Sequence, residues 1–85
     1  MSAKHLWPDE PVRSKGEATL LPRGYPELPA TIRDISASGI GVIAAHIVAP
    51  GTPVDIHIHD YAAHGTVRCC RPDGDAFYIE IALAA

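Results

Sequence analysis

The stretch Asp34-Ile35-Ser36-Ala37-Ser38-Gly39-Ile40-Gly41-Val42 joins two apolar runs, 30–35 and 40–45. Its carboxylate and hydroxyl groups can serve a turn or contact a polar ligand. Its glycines allow positive φ and a close approach of the backbone to a flat ring or a phosphate. The stretch therefore predicts two strands joined by a polar turn. By itself the pattern Asp-x-Ser-x-x-Gly is common in β-turns, so a ligand-binding interpretation needs support from the rest of the chain.

Alternating apolar and polar residues extend this strand pattern along the chain. The alternation is clearest from 54 to 59, where Val54, Ile56 and Ile58 face one way and three polar residues face the other. Similar patterns predict strands at 16–22, 29–35, 39–45, 65–71 and 77–83, with a turn over 60–65. Six short strands and no helical period favour an all-β barrel or sandwich. The predicted interior residues are Leu20, Ile32, Val42, Val54, Ile56, Ile58, Val67, Ile79 and Ile81.

Size and charge narrow the class of protein. Eighty-five residues make one domain, and we divide the chain into a flexible arm over 1–15 and a barrel over 16–85. A net charge of -3 argues against a nucleic-acid polymer or a polybasic membrane surface as the partner. No window is apolar enough for a membrane span, and the N-terminus lacks the apolar core of a signal peptide. We therefore expect a cytoplasmic protein.

Several polar residues have more than one interpretation. His57 and His59 share a strand face at a spacing that can hold zinc, but a polar outer face explains them as well. Cys69 and Cys70 are neighbours whose side chains point to opposite faces, which disfavours a disulfide between them. We expect Arg33 to be a solvated strand residue that pairs across the sheet with Glu80 or Asp55. No nucleophile, base and acid set indicates an enzyme, and we predict neither a catalytic residue nor a bound metal or cofactor.

The order of these landmarks resembles a PilZ domain, the bacterial receptor domain for cyclic di-GMP. The resemblance is carried by the segments 30–42, 49–54, 64–67 and 76–83, which match the family's second and third strands, the following turn, its fifth-strand entry and its closing strand. It implies a six-stranded antiparallel β-barrel that passes on a second-messenger signal. In the family, an arm before the first strand carries two arginines four residues apart, which hold the guanine and phosphate groups.

The resemblance also implies a set of ligand-binding residues. Asp34 would accept hydrogen bonds from guanine, Ser36 would donate one to the ligand, and Gly39 would allow close backbone approach. Arg13 would be the arginine of the arm, but Asp9 stands four residues before it and the pair is incomplete. Two functions therefore stay open. One is a cyclic di-GMP receptor, and the other is an adaptor that does not bind cyclic di-GMP and acts through an unidentified protein partner.

Overall fold

The computed structural model describes residues 16–84, which form a closed six-stranded barrel. The strands are β1 (Glu17–Pro22), β2 (Leu28–Ile35), β3 (Gly39–Ala44), β4 (Pro53–Ile58), β5 (Tyr61–Asp73) and β6 (Ala76–Leu83). Every neighbouring pair is antiparallel, in the order β1-β2-β3-β6-β5-β4 around the barrel. Because the sheet closes on itself, no strand leaves an unpaired edge. The predicted all-β barrel is confirmed, and the predicted arm over 1–15 lies outside the described residues.

Aliphatic side chains fill the barrel interior. Eight of the nine residues predicted for the interior are buried, and the ninth, Ile58, is half-buried and packs against the core. Six further residues are buried. Four of them, Ala18, Ala30, Ile40 and Ala44, share an alternating face with a predicted interior residue, and the other two are Ile35 and Val48. Val48 is completely buried although it lies in the β3–β4 loop, where no strand pattern marks it.

The connection between β4 and β5 differs from the prediction. A turn was expected over 60–65, but β5 begins at Tyr61 and continues for 13 residues. His59 and Asp60 make the whole turn, with His59 at a φ of 53°. The residues that follow pair with β4 from Ile58↔Tyr61 to Pro53↔Thr66. Ala62 and Ala63 have little strand preference of their own, so the pairing with β4 determines their conformation.

No helix long and apolar enough to cross a membrane occurs among residues 16–84.

Candidate functional site

A β-bulge in β2 places the acidic residue of the motif on the outer surface. Ile32 pairs with Val42 and Asp34 pairs with Gly41, so Arg33 is an extra residue in β2. Bulges bend a strand and re-aim its side chains. Arg33 and Asp34 are therefore both exposed, although they are neighbours, while Ile32 and Ile35 on either side of them are buried.

Gly41 leaves room for two side chains to converge above β3. A Cβ atom on this residue would lie 2.3 Å from the Tyr78 hydroxyl oxygen and 2.8 Å from Asp34 Oδ1. Both distances are shorter than side chains tolerate. Gly41 thus lets Tyr78 from β6 lie flat across β3 and bring its hydroxyl beside the Asp34 carboxylate. Sequence analysis identified Asp34 but gave no site role to Gly41 or Tyr78.

Asp34 lines a polar cleft where β2 approaches the β5–β6 hairpin. The cleft has a volume of about 280 Å³, and its lining residues are Arg33, Asp34, Arg71, Pro72, Asp73 and Tyr78. Arg33 Nη1 donates a hydrogen bond of 2.9 Å to Asp73 Oδ2 in an exposed ion pair. The guanidinium carbons of Arg33 and Arg71 lie 5.7 Å and 4.7 Å from the centroid of the Tyr78 ring. These distances are within the range of cation–π contacts.

The surroundings of Tyr78 keep its phenol neutral. Partial burial is the main cause that raises the pKa of Tyr78 above its ordinary 10.0, and the nearby negative charges of Asp34 and Glu80 raise it further. Arg71 acts in the opposite direction but does not cancel these effects. A protonated phenol can donate a hydrogen bond and offers an aromatic face. The cleft thus combines two carboxylates, a phenol and two guanidinium groups.

Ser36 and Gly39, two other predicted site residues, do not line this cleft. Ser36 lies in the β2–β3 turn, where its backbone N–H donates to the Gly39 carbonyl at 2.9 Å. Among residues 16–84 its hydroxyl makes only long contacts of 3.4 Å, to the same carbonyl and to Ser38 Oγ, and Ser36 is exposed to solvent. Ser36 and Asp34 flank the buried Ile35 and lie on the same outer side of the chain. Arg13 lies outside the described residues.

The packing of the barrel by itself accounts for a glycine at position 39. A Cβ atom on Gly39 would lie 2.6 Å from the backbone oxygen of Ile81 in β6. Its φ does not lie in the positive region that favours glycine. The close approach of β3 to β6 therefore requires glycine at this position, whether or not a ligand approaches it.

The ion pairs on the barrel surface correct the expected partner of Arg33. Arg33 pairs with Asp73, so the predicted pairing with Glu80 or Asp55 is wrong. Asp55 instead lies 2.8 Å from His64 Nδ1, and Glu80 lies 3.4 Å from Arg68 Nη1. The strand order explains the error, because β3 lies between β2 and Glu80 in β6, and β1 lies between β2 and Asp55 in β4.

The histidines and cysteines were candidates for metal or redox chemistry. Within residues 16–84, no group of three or more His, Cys, Asp or Glu side chains could hold a metal ion. Cys69 and Cys70 are both free thiols and both half-buried. Cys69 Sγ lies 3.5 Å from Glu80 Oε1, while Cys70 packs against the core.

Comparison with known proteins agrees with the barrel and with the motif on its surface. The sequence profile of the PilZ domain matches residues 9–84, nearly the whole chain. The chain belongs to the PilZ domain family. PilZ domains are non-catalytic receptor or adaptor domains, and the family is one of cyclic di-GMP receptor domains. No curated protein matches the chain.

Proposed function

We propose that this chain is a cyclic di-GMP receptor domain that binds its ligand on the outer surface of β2 and β3. The observation that carries the proposal is the state of Asp34. Its carboxylate is exposed, and within residues 16–84 it has no hydrogen-bond or ion-pair partner. An exposed carboxylate without a partner is a ready acceptor for the two N–H donors on the edge of a guanine base.

The other proposed contacts follow the same outer surface. Within the described part of the chain the Ser36 hydroxyl forms only long contacts, so it can donate a stronger hydrogen bond to a ligand oxygen. Gly39 lies at the end of the same turn, and Arg13 supplies a cation from the arm. The unbridged thiols of Cys69 and Cys70 agree with a receptor that works in the reducing cytoplasm.

The incomplete arm sets the expected strength of binding. A charge-assisted contact contributes roughly 1.5–3 kcal/mol, so the absence of one arginine corresponds to about ten- to a hundredfold in affinity. A carboxylate at position 9 in its place adds repulsion toward the two phosphates. We therefore expect a dissociation constant in the micromolar range or above.

Isothermal titration calorimetry of the full chain with cyclic di-GMP tests the proposal. Asp34→Ala should weaken binding at least about tenfold, equivalent to about 1.4 kcal/mol. Glu27→Ala is the matched control, because it removes an exposed carboxylate from the β1–β2 loop, at the other end of β2. Cyclic di-AMP should not bind, since the adenine edge does not present the two donors that Asp34 accepts.

An adaptor that does not bind cyclic di-GMP is the second candidate, and Asp9 in place of an arginine is the observation that favours it. No heat of binding from the folded wild-type chain at millimolar cyclic di-GMP would reject the receptor and leave the adaptor as the better account. If Asp34→Ala binds cyclic di-GMP with the wild-type affinity, the binding site lies on another surface.

A further inference from the structure

The cleft beside Asp34 contains two arginines that differ in their partners. Arg33 is neutralised by Asp73 at 2.9 Å. Arg71 has no carboxylate partner among residues 16–84. Its one hydrogen-bond contact there is a long one, from Nη1 to Cys69 Sγ at 3.9 Å. Arg71 is therefore the guanidinium of this cleft whose donors are available to an anion.

Tyr78 holds Arg71 in place. The two residues are direct partners in the β5–β6 ladder, and the guanidinium carbon lies 4.7 Å from the ring centroid. The Tyr78 hydroxyl in turn reaches the space above Gly41 beside Asp34. The aromatic ring thus spans the cleft, with the free carboxylate near its hydroxyl and the free guanidinium over its face.

This arrangement complements a particular kind of ligand. A carboxylate accepts hydrogen bonds from N–H groups, and a guanidinium donates two parallel bonds to a phosphate. A guanine nucleotide carries both features, a base edge with two N–H donors and an anionic phosphate. The cleft presents the two complementary groups around one aromatic ring.

We propose that Arg71 binds a phosphate of the ligand whose guanine contacts Asp34, and so supplies from the barrel the second arginine that the arm lacks. This inference rests on the proposed receptor function. A strand-borne arginine has an advantage over one on an arm, because its backbone is fixed by the sheet and its side chain by Tyr78. Less conformational freedom is then lost when the ligand binds.

Three substitutions at two positions separate the roles of charge and geometry. Arg71→Gln removes the charge and should weaken cyclic di-GMP binding at least about tenfold. Arg71→Lys retains the charge but loses the planar fork, so its affinity should fall between those of Arg71→Gln and wild type. Arg68→Gln is the matched control. It removes the same charge from the same strand, but Arg68 pairs with Glu80 and does not line the cleft, so binding should stay within about twofold of wild type.

Ionic strength provides a second readout. Salt screens an exposed phosphate–guanidinium contact, so the wild-type affinity should decrease as the salt concentration is raised. The fall should be smaller for Arg71→Gln than for wild type or Arg68→Gln. Circular dichroism and thermal unfolding establish that each variant is folded before its affinity is compared.

The outcomes distinguish this inference from the function on which it rests. If Asp34→Ala loses binding while Arg71→Gln retains the wild-type affinity and salt dependence, the role of Arg71 is rejected and the receptor stands. If Arg71→Gln and Arg68→Gln weaken binding equally, the effect is one of overall charge, and Arg71 is again rejected. If the folded wild type does not bind cyclic di-GMP, both proposals fall together.

Discussion

Replacing Gly41 with alanine adds one carbon atom at the point where Tyr78 and Asp34 converge. The substitution therefore tests whether the arrangement of these two side chains determines ligand binding. The added Cβ would lie 2.3 Å from the Tyr78 hydroxyl oxygen and 2.8 Å from Asp34 Oδ1. To restore an ordinary van der Waals contact of 3.4 Å, the hydroxyl must move by about 1.1 Å and the carboxylate by about 0.6 Å. Both atoms belong to side chains that can rotate, so the barrel itself need not move.

Two opposing effects on stability follow from this geometry. Pushing two side chains away from their preferred rotamers costs of order 0.5–1.5 kcal/mol each. Alanine is favoured over glycine within a strand by roughly 0.5–1 kcal/mol, and the φ of Gly41 lies outside the positive region that alanine avoids. The two effects partly cancel, so we expect the free energy of unfolding to fall by no more than about 2.5 kcal/mol. Affinity for cyclic di-GMP should fall at least about tenfold, since Asp34 and the Tyr78 platform are both displaced.

Urea unfolding and calorimetry on the same sample test this prediction, with Gly39→Ala as the structural counterpart. The Cβ of that variant would lie 2.6 Å from the backbone oxygen of Ile81, which cannot rotate away. Gly39→Ala should therefore be less stable than Gly41→Ala. Its free energy of unfolding should fall below that of wild type by roughly 1–3 kcal/mol, which is typical of overpacking. Wild-type affinity in a folded Gly41→Ala variant would show that the arrangement of Tyr78 and Asp34 does not set binding. A Gly39→Ala variant as stable as wild type would refute the argument from strand spacing.

Three further predictions concern the core, the arm and the phenol. Ile56→Ala should lower the free energy of unfolding by about 2–5 kcal/mol in urea titrations, because the side chain is fully buried. The control Ile47→Ala, at a residue that is 52% exposed, should change this free energy by less than about 1 kcal/mol. Asp9→Arg should raise cyclic di-GMP affinity by about tenfold in calorimetry, because it completes a pair of arginines four residues apart. The control Glu17→Arg, in β1, should raise the affinity less, and equal gains from both variants would show that net charge alone is responsible. The raised pKa of Tyr78 means that the folded chain holds this proton more tightly than the unfolded chain, so its contribution to stability is complete below pH 10 and is lost as pH rises through the higher folded pKa. Ultraviolet titration should show one phenol ionising late that is missing in Tyr78→Phe, and identical late transitions in both proteins would contradict the assignment.

The alternation of apolar and polar residues was enough to predict the strands and most of the interior. Alternation depends only on which side of a strand each residue faces, so Val54 and Ile56 could be assigned to the core without knowledge of any partner strand. The order of turns and strands also identified the family. Asp34 could be predicted as a candidate site residue because the motif that contains it is local in the chain.

The surroundings of Asp34 depend on contacts between residues that are distant in the sequence. Arg33 and Asp73 are 40 residues apart, and they meet because the closed barrel brings the β5–β6 hairpin close to β2, although β3 and β6 lie between β2 and β5. The bulge at Arg33 changes which residues face outward, and no local pattern marks it. The pairing of Arg71 with Tyr78 depends on the register of β5 against β6, which a second bulge, at Arg68, shifts by one residue. Local sequence specifies which residues prefer a strand, but the closed barrel sets the register, and the register decides which side chains become neighbours.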